Sequence, residues 1–399
     1  MANEMDEKKL CMGCMRLKEK AEGKCPYCGF DEKKGDREDN EALPLRTVLN
    51  GKYLLGKPLG RGGFGITYIA YEKNLQIKVA IKEFFPWSTV KRDKDNSLMP
   101  VSWKEDSEFF ETDKKKVLDE ARRMAQLMDL PGVVFVRDFF EENNTAYIVM
   151  EYLDGITLSK YLSSPEGSIS PEWVLKAMKP VLASLAKVHK AGIIHRDISP
   201  DNMILTSGNR IKLIDFGAAR NYSMSRKESL SVILKRGYAP IEQYSSRGNQ
   251  GPWTDIYALC ATMYKMMTGS APLESTDRII NDEIKTIRGM GVSLTPKLEK
   301  AIMKGLSIDY RERFSNIYEL YTALYGKLSA EVISAEEAYD TACKLSDNGN
   351  YMEAIRYFNV AANAGDTNAM CAVGYLYYYG KGVPFDYSQA FKWYKKAAD

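Results

Sequence analysis

Residues 193–205 read IIHRDISPDNMIL. Asp197 and Asn202 stand five apart, with His195 and Arg196 directly before the aspartate. That spacing suits a loop in which one carboxylate takes a proton and one amide holds a metal ion. On either side, from about residue 51 to 327, strand-like and helix-like segments alternate, so the loop belongs to an α+β domain.

Upstream, YLLGKPLGRGGFGITYIAYE (53–72) alternates apolar residues around Gly60, Gly62, Gly63 and Gly65. It predicts strand, turn, strand, with amides free of side chains that can lie over phosphates. VAIKEFF (79–85) is another strand, with Lys82 inside an apolar run. An unpaired charge there is costly, so Lys82 calls for an anionic partner. KKKVLDEARRMAQLM (114–128) reads as a helix whose apolar face is Val117, Leu118, Ala121, Met124, Leu127 and Met128. Glu120 lies beside that stripe and can point inward at Lys82. TAYIVMEYLDG (145–155) is a strand whose exit residues Glu151, Tyr152 and Leu153 offer backbone hydrogen bonds to a purine. A long helix over 173–192 precedes the opening stretch. After it, RIKLIDFGAAR (210–220) delivers Asp215, which can share with Asn202 the metal ions that bridge phosphates.

The order is glycine turn, strand lysine, helix glutamate, HRD, Asn, DFG. Across about 275 residues this resembles the eukaryotic-type protein kinases, and HRDISPDN with GYAPIEQY resembles their bacterial members. YAPIEQY (238–244) is similar to the family's APE motif with one residue inserted, and supplies Glu242. Asp255, early in WTDIYALCATMYKMMTG (253–269), matches the aspartate that holds the catalytic loop's backbone, and Arg313 the arginine that pairs with the APE glutamate. The resemblance implies a bilobal fold with a β-rich small lobe and a helical large lobe. It implies that Lys82, held by Glu120, grips the α- and β-phosphates of ATP. It further implies that Asp197 accepts or orients the substrate hydroxyl and that Asn202 and Asp215 bind magnesium or manganese. Ala80 and Ile204 then sandwich the adenine, Met150 is the gatekeeper, and His195 is a packing and backbone-binding residue, as is His189. Arg196 beside Asp197 implies control by an activation-loop phosphate, with Ser223, Ser225, Ser229 and Ser231 as candidates; the plainer reading is that serines suit a flexible loop.

Four features depart from the family pattern. Thr67 stands where a valine usually covers the adenine. Between Lys82 and Glu120, residues 86–106 form an inserted loop whose Trp87 and Trp103 suggest docking. The APE motif is altered. Ser199 replaces a lysine that faces the transferring phosphate, while Lys235 stands three before Tyr238, where the family often has a threonine. A hydroxyl and a cation have traded places on this reading, so Lys235 supplies the charge near Asp197. The alternative is that Lys235 and Arg236 bind substrate or a loop phosphate.

Near the start, Cys11 and Cys14 form one CxxC, and Cys25 and Cys28 another, with ten residues between the pairs. Two knuckles complete a tetrahedron of thiolates that suits structural zinc, and the segment resembles a zinc ribbon. It is too short for its own apolar core, so metal binding would be its folding energy. Disulfides and an iron–sulfur centre fit less well. Arg16, Lys18, Lys20 and Lys24 are interleaved with Glu19 and Glu22, which argues against a nucleic-acid face. At the other end, YMEAIRYFNVAAN (351–363) and YSQAFKWYKKAAD (387–399) align at a shift of 36 residues. A period near 36 reads as a helical solenoid, and 374–390 resembles the Sel-one-like repeats, relatives of tetratricopeptide repeats. A solenoid needs about three units, so either the natural chain continues or the hairpins pack on the preceding domain.

The expected organisation is a zinc ribbon over 8–31, a linker over 32–50, a kinase domain over 51–328 and an α-solenoid tail over 334–399. With 399 residues, 45% hydrophobic and 27% charged, and a formal net charge of +3, the chain reads as a soluble globular protein without a field for nucleic acid or membrane. No apolar run suits a signal peptide or a membrane span, which makes the cytoplasm the default. The reading is an ATP-dependent serine/threonine kinase acting on proteins, with unknown protein partners on the ribbon and repeats. The alternative is a nucleotide-binding scaffold that assembles partners; a weaker third makes the ribbon a nucleic-acid reader with the kinase as its effector.

Overall fold

A computed structural model describes residues 7–20, 22–35, 41–87, 89–101, 105–127, 130–164, 169–216, 234–245, 247–326 and 335–398. The chain divides into two compact units, Met1–Leu324 and Tyr325–Asp399.

The first unit begins with the short helix α1 (Glu32–Gly35) and then strands β1 (Val48–Leu49), β2 (Tyr53–Gly62), β3 (Gly65–Glu72) and β4 (Ile77–Phe84). A hairpin of β5 (Val90–Arg92) and β6 (Leu98–Pro100) follows, then helix α2 (Glu105–Ala125) and strands β7 (Val136–Glu142) and β8 (Thr145–Glu151). The main sheet is antiparallel in the order β1-β2-β3-β4-β8-β7. Alternation along its β-branched strands sends successive residues to opposite faces. Leu55, Ile66, Tyr68, Ala70, Val79 and Ile81 share one core with Val117 and Leu118 of α2. Their neighbours Leu54, Ile69 and Tyr71 form a second cluster with Leu10, Met12 and Met15. The cysteine-rich segment therefore covers a face of the sheet and borrows that lobe's core.

Two expectations change here. The stretch expected as a linker is in part core: within 41–50, Leu43 and Leu49 are buried in the small lobe, and β1 pairs with β2. The insertion is not a plain loop either. Its β5–β6 hairpin is pinned by the Arg92–Glu83 ion pair at 2.7 Å, with Glu83 fully buried and bonded to the Tyr68 and Tyr147 hydroxyls. Trp103 and Met128 lie outside the described residues, as do Gly217 and Ser223, Ser225, Ser229 and Ser231.

The large lobe carries β9 (Gly155–Thr157), β10 (Met203–Thr206) and β11 (Ile211–Leu213), ordered β11-β10-β9. Its helices are α3 (Leu158–Leu162), α4 (Pro171–Lys190), α5 (Pro252–Thr268), α6 (Ser275–Ile280), α7 (Pro296–Gly305) and α8 (Ile317–Tyr325). Helix α4 starts where Ser170 accepts from the Trp173 amide, and Pro171 suits its first turn. It buries Val174, Met178, Val181, Leu185 and Val188, one stripe at helical spacing. Helix α5 is buried almost all round and ends at Gly269, whose left-handed backbone (φ 78°) closes the last turn.

In the second unit, α9 (Ala335–Asp347), α10 (Tyr351–Asn363), α11 (Thr367–Tyr379) and α12 (Tyr387–Ala398) build their own core. Ala354, Ala361 and Ala362 are buried on α10, and Ala390 takes the matching buried place on α12. Small residues let these helices approach, and a Cβ on Gly374 would crowd the Tyr394 ring at 3.0 Å.

Candidate active site

The opening stretch folds into a loop held by backbone locks. Asp255 is fully buried at the start of α5 and accepts from the His195 amide at 2.8 Å and the Arg196 amide at 2.7 Å. The His189 Nε2 lies 2.7 Å from the same carboxylate. Burial alone would raise the Asp255 acid; the His189 hydrogen bond and charge outweigh it and hold Asp255 below the usual carboxylate range. His195 Nε2 faces the Ile214 carbonyl at 2.9 Å, and its Nδ1 accepts from the Asp197 amide at 3.2 Å. A carbonyl can only accept and an amide only donate, so the ring is neutral with its proton on Nε2. Burial pushes its acidity the same way. Arg196 adopts φ 63°, a left-handed conformation costly for a side-chain-bearing residue, over-determined here by Asp255 and by the Gln243 amide on its carbonyl at 2.8 Å.

Asn202 donates from Nδ2 to the Asp197 carbonyl at 2.7 Å, and its own carbonyl takes the Ile214 amide at 2.8 Å. The loop carrying Asp197 is thereby tied to the strand end carrying Asp215. The Phe216 ring lies 4.6 Å from that of His195. Lys82 on β4 reaches Asp215 Oδ1 at 2.8 Å. Burial raises the Asp215 acid, but the charge and hydrogen bond of Lys82 outweigh it, so the carboxylate is ionised. Lys235 Nζ donates to the buried Ser199 hydroxyl at 2.9 Å and lies 3.3 Å from Asp201. Deeper in the lobe, Arg313 meets Glu242 through two hydrogen bonds of 2.7 and 3.2 Å, with both side chains almost fully buried.

Above the loop, a cleft of about 620 Å³ is lined by Lys82, Glu120, Met150, Asp215 and Phe216, with Phe64 of the glycine turn at its edge. Gly62 and Gly65 face each other across that turn. Trp87 donates its indole N–H to the Gly62 carbonyl at 2.8 Å, and the Arg61 guanidinium lies 5.0 Å over its ring.

A protein kinase domain model matches residues 53–325, and a Sel1 repeat model matches 348–366 and 367–399. This chain belongs to the protein kinase family. The kinase domain has a solved counterpart, the apo form of PpkA-294, at 33% identity and TM-score 0.64, covering 71% of this chain and 99% of that one. Among curated relatives, serine/threonine-protein kinase PrkC of Bacillus subtilis is 25% identical over 68% of this chain and 40% of its own length. A probable serine/threonine-protein kinase of Streptomyces coelicolor, SCO3848, is 29% identical over 73% of this chain and 42% of its own. The chain thus spans about two-fifths of the length of these two relatives.

Lys82 meets Asp215, Asn202 ties the Asp215 strand end to the Asp197 loop, and the Asp255 lock and the Arg313–Glu242 pair are both formed. Lys235 reaches the Ser199 hydroxyl. The Lys82–Glu120 pair is not formed. Lys82 bonds Asp215 instead, and Glu120 Oε1 is buried with no hydrogen-bond partner. Desolvation drives the Glu120 acid up to about 7, only partly offset by Arg123, Arg196 and Lys82. A neutral carboxyl gives Lys82 little reason to leave the ionised Asp215. Glu151 also differs: its amide donates to the Phe135 carbonyl at 3.0 Å, so that N–H is not open to a purine, and its carboxylate is bonded by Lys212. Tyr152 and Leu153 follow it at the exit of β8. Thr67 and Ala80 sit on β3 and β4, and Ile204 on β10 opposite Thr157. Sequence reasoning missed Asp201 as a second partner of Lys235, and the Trp87 contact with the glycine turn. The tryptophan itself was the signal for the latter.

The four cysteine sulfurs lie within 4.8 Å of one another, with Cys11–Cys28 at 3.6 Å and Cys14–Cys25 at 3.8 Å. A zinc–sulfur bond of about 2.3 Å in a tetrahedron requires sulfurs about 3.8 Å apart, so this donor set fits zinc. Gly13 donates its amide to Cys11 Sγ at 3.3 Å, the knuckle bond that supports a thiolate. No helix among the described residues is long and apolar enough to cross a membrane.

Proposed function

We propose that the chain is an ATP-dependent serine/threonine protein kinase. The observation that supports this reading is the chain of contacts that joins Lys82 to Asp215, and the Asp215 strand end through Asn202 to the Asp197 loop, itself held by Asp255 and His195. The substrate hydroxyl oxygen attacks the γ-phosphorus as the bond to the β-bridging oxygen breaks. Its proton passes to Asp197, and ADP leaves. Lys82 binds the α- and β-phosphates, with Glu120 as its partner once that carboxyl is ionised. The amides of Gly60, Gly62, Gly63 and Gly65 cover the phosphates. Ala80, Thr67 and Ile204 enclose the adenine behind Met150, with the Glu151 carbonyl and Leu153 as its backbone partners. Asn202 and Asp215 present hard oxygen donors that suit magnesium or manganese, which when bound neutralises charge on the phosphate oxygens. Lys235 supplies the further cation for the transferring phosphate, its ammonium steadied by Ser199 and Asp201. The names of both curated relatives support serine and threonine as acceptors.

The four cysteines hold structural zinc, and the repeats bind protein partners on this reading. Thiolate ligands need a reducing compartment, which favours the cytoplasm. The test is phosphate transfer from labelled ATP with magnesium to the chain itself and to a generic protein substrate. Label should appear on serine or threonine and fall at least about a thousandfold in Asp197→Ala, a loss of roughly 4 kcal/mol of transition-state stabilisation. ATP binding without any transfer would leave the scaffold reading in its place.

A further inference from the structure

The cysteine segment touches the small lobe at two places that matter for nucleotide. On β2, pairing with β3 shifts register between Leu55 and Pro58, just before the glycine turn. The Lys57 amide in this irregular stretch donates to the Met12 carbonyl at 2.8 Å. Met12 stands inside the first CxxC. Next to Lys57, Gly56 leaves no room for a side chain, because a Cβ would overlap the Met12 carbonyl oxygen and the Met15 methyl carbon. The knuckle is therefore seated in the β2 irregularity from which the glycine turn departs.

The second place is the exit of β8. Tyr152 follows Glu151 there and packs against the cluster of Leu10, Met12, Met15, Leu54, Ile69 and Tyr71. Arg46 closes the assembly. Its side chain donates to the carbonyls of Glu7 and Leu10, each at 3.0 Å, and pairs with Glu32, while its amide bonds the Leu55 carbonyl on β2. The turn that aims the Met12 carbonyl is the Cys11–Cys14 knuckle itself, with Met15 bonded to the Cys11 carbonyl at 2.8 Å and strained at φ 53°. Beyond those backbone bonds, four sulfurs converging on one ion would tie this turn to the second CxxC and stiffen it.

We propose that the metal knuckle is a positioning element of the nucleotide site: metal occupancy at Cys11, Cys14, Cys25 and Cys28 sets the bend of β2 and the β8 exit, and hence the affinity for ATP. This rests on the kinase reading above. Metal is removed from the full chain with a chelator, the chain is returned to magnesium buffer, and ATP binding is titrated calorimetrically. The Kd should weaken about tenfold and recover on adding zinc or cobalt(II), the latter reporting its four-sulfur site by visible absorption. KM for ATP should rise in step while kcat at saturating ATP stays within about twofold. Gly56→Ala keeps all four cysteines but wedges the knuckle off β2, so it should retain metal and show the same weakened Kd. That variant decides the matter should the stripped chain unfold. An unchanged Kd in a folded metal-free chain, or in metal-loaded Gly56→Ala, overturns the proposal. Absence of ATP binding in the metal-loaded wild type overturns the kinase reading and this inference with it.

Discussion

On the large-lobe wall of the cleft, Asp255 takes two loop amides and His189, and His195 spans from Asp197 to Ile214. On the small-lobe wall, Glu120 Oε1 is buried without a hydrogen bond, and Lys82 leans across to Asp215. The first wall is assembled before any ligand arrives. The second holds its charges in a resting arrangement, with the energetic cost of burying a carboxyl met by keeping it neutral. On the proposed kinase reading, the geometry for transfer is stored in the large lobe, and nucleotide binding completes the small one.

The largest expected effect tests the assembled wall. Asp255→Ala leaves two buried amides without their acceptor and should cost about 3–5 kcal/mol, lowering the kinase unit's melting temperature by roughly 10 °C. Unchanged melting would mean that the loop is not held there. Next, Lys235→Ala should lower kcat roughly a hundredfold with ATP affinity within about threefold, the range for one charged donor at a developing negative charge. Turnover near wild type would break the hydroxyl–cation exchange.

The small-lobe wall makes a pH prediction. The folded Glu120 acid lies above its ordinary value, at about 7. Stability from keeping it neutral is fully present below the ordinary carboxylate range and is lost as pH rises through about 7. Ionisation at that point frees the carboxylate to take Lys82 from Asp215. Turnover should therefore rise with a midpoint near pH 7, and Glu120→Gln should abolish that limb while flattening the loss of thermal stability between pH 5 and 8. A midpoint unmoved by the substitution would assign it to another group. The smallest effect belongs to the glycine turn. Trp87→Phe removes one hydrogen bond to Gly62 of about 1 kcal/mol and should raise KM for ATP a few-fold with little change in kcat.

The large-lobe wall was legible in the sequence because its parts lie on short, ordered motifs: Asp197 and Asn202 five apart, Asp215 at a strand end, Asp255 at a helix start. The small-lobe wall was legible in its members but not in their pairing. Whether Lys82 meets Glu120 or Asp215 depends on where α2 sits and on the ionisation of a buried carboxyl, and neither is a pattern of residues. The docking of Met12 on Gly56 was hidden for a related reason. Alternation along β3 announces two apolar faces, yet nothing in Ile69 or Tyr71 says that the cover comes from residues some sixty positions earlier. The insertion showed its tryptophans but not its hairpin, because the Arg92–Glu83 pair links residues in different elements.

The shared cluster of Leu10, Met12 and Met15 with Leu54, Ile69 and Tyr71 also sets an order of events during synthesis. The knuckle leaves the ribosome before β2 and β3, and its apolar side stays bare until they emerge. If the four cysteines hold metal, it can keep the knuckle folded through that interval, and the nascent sheet then closes over a surface already shaped. A chain made while metal is scarce would meet its own third strand with a disordered lid.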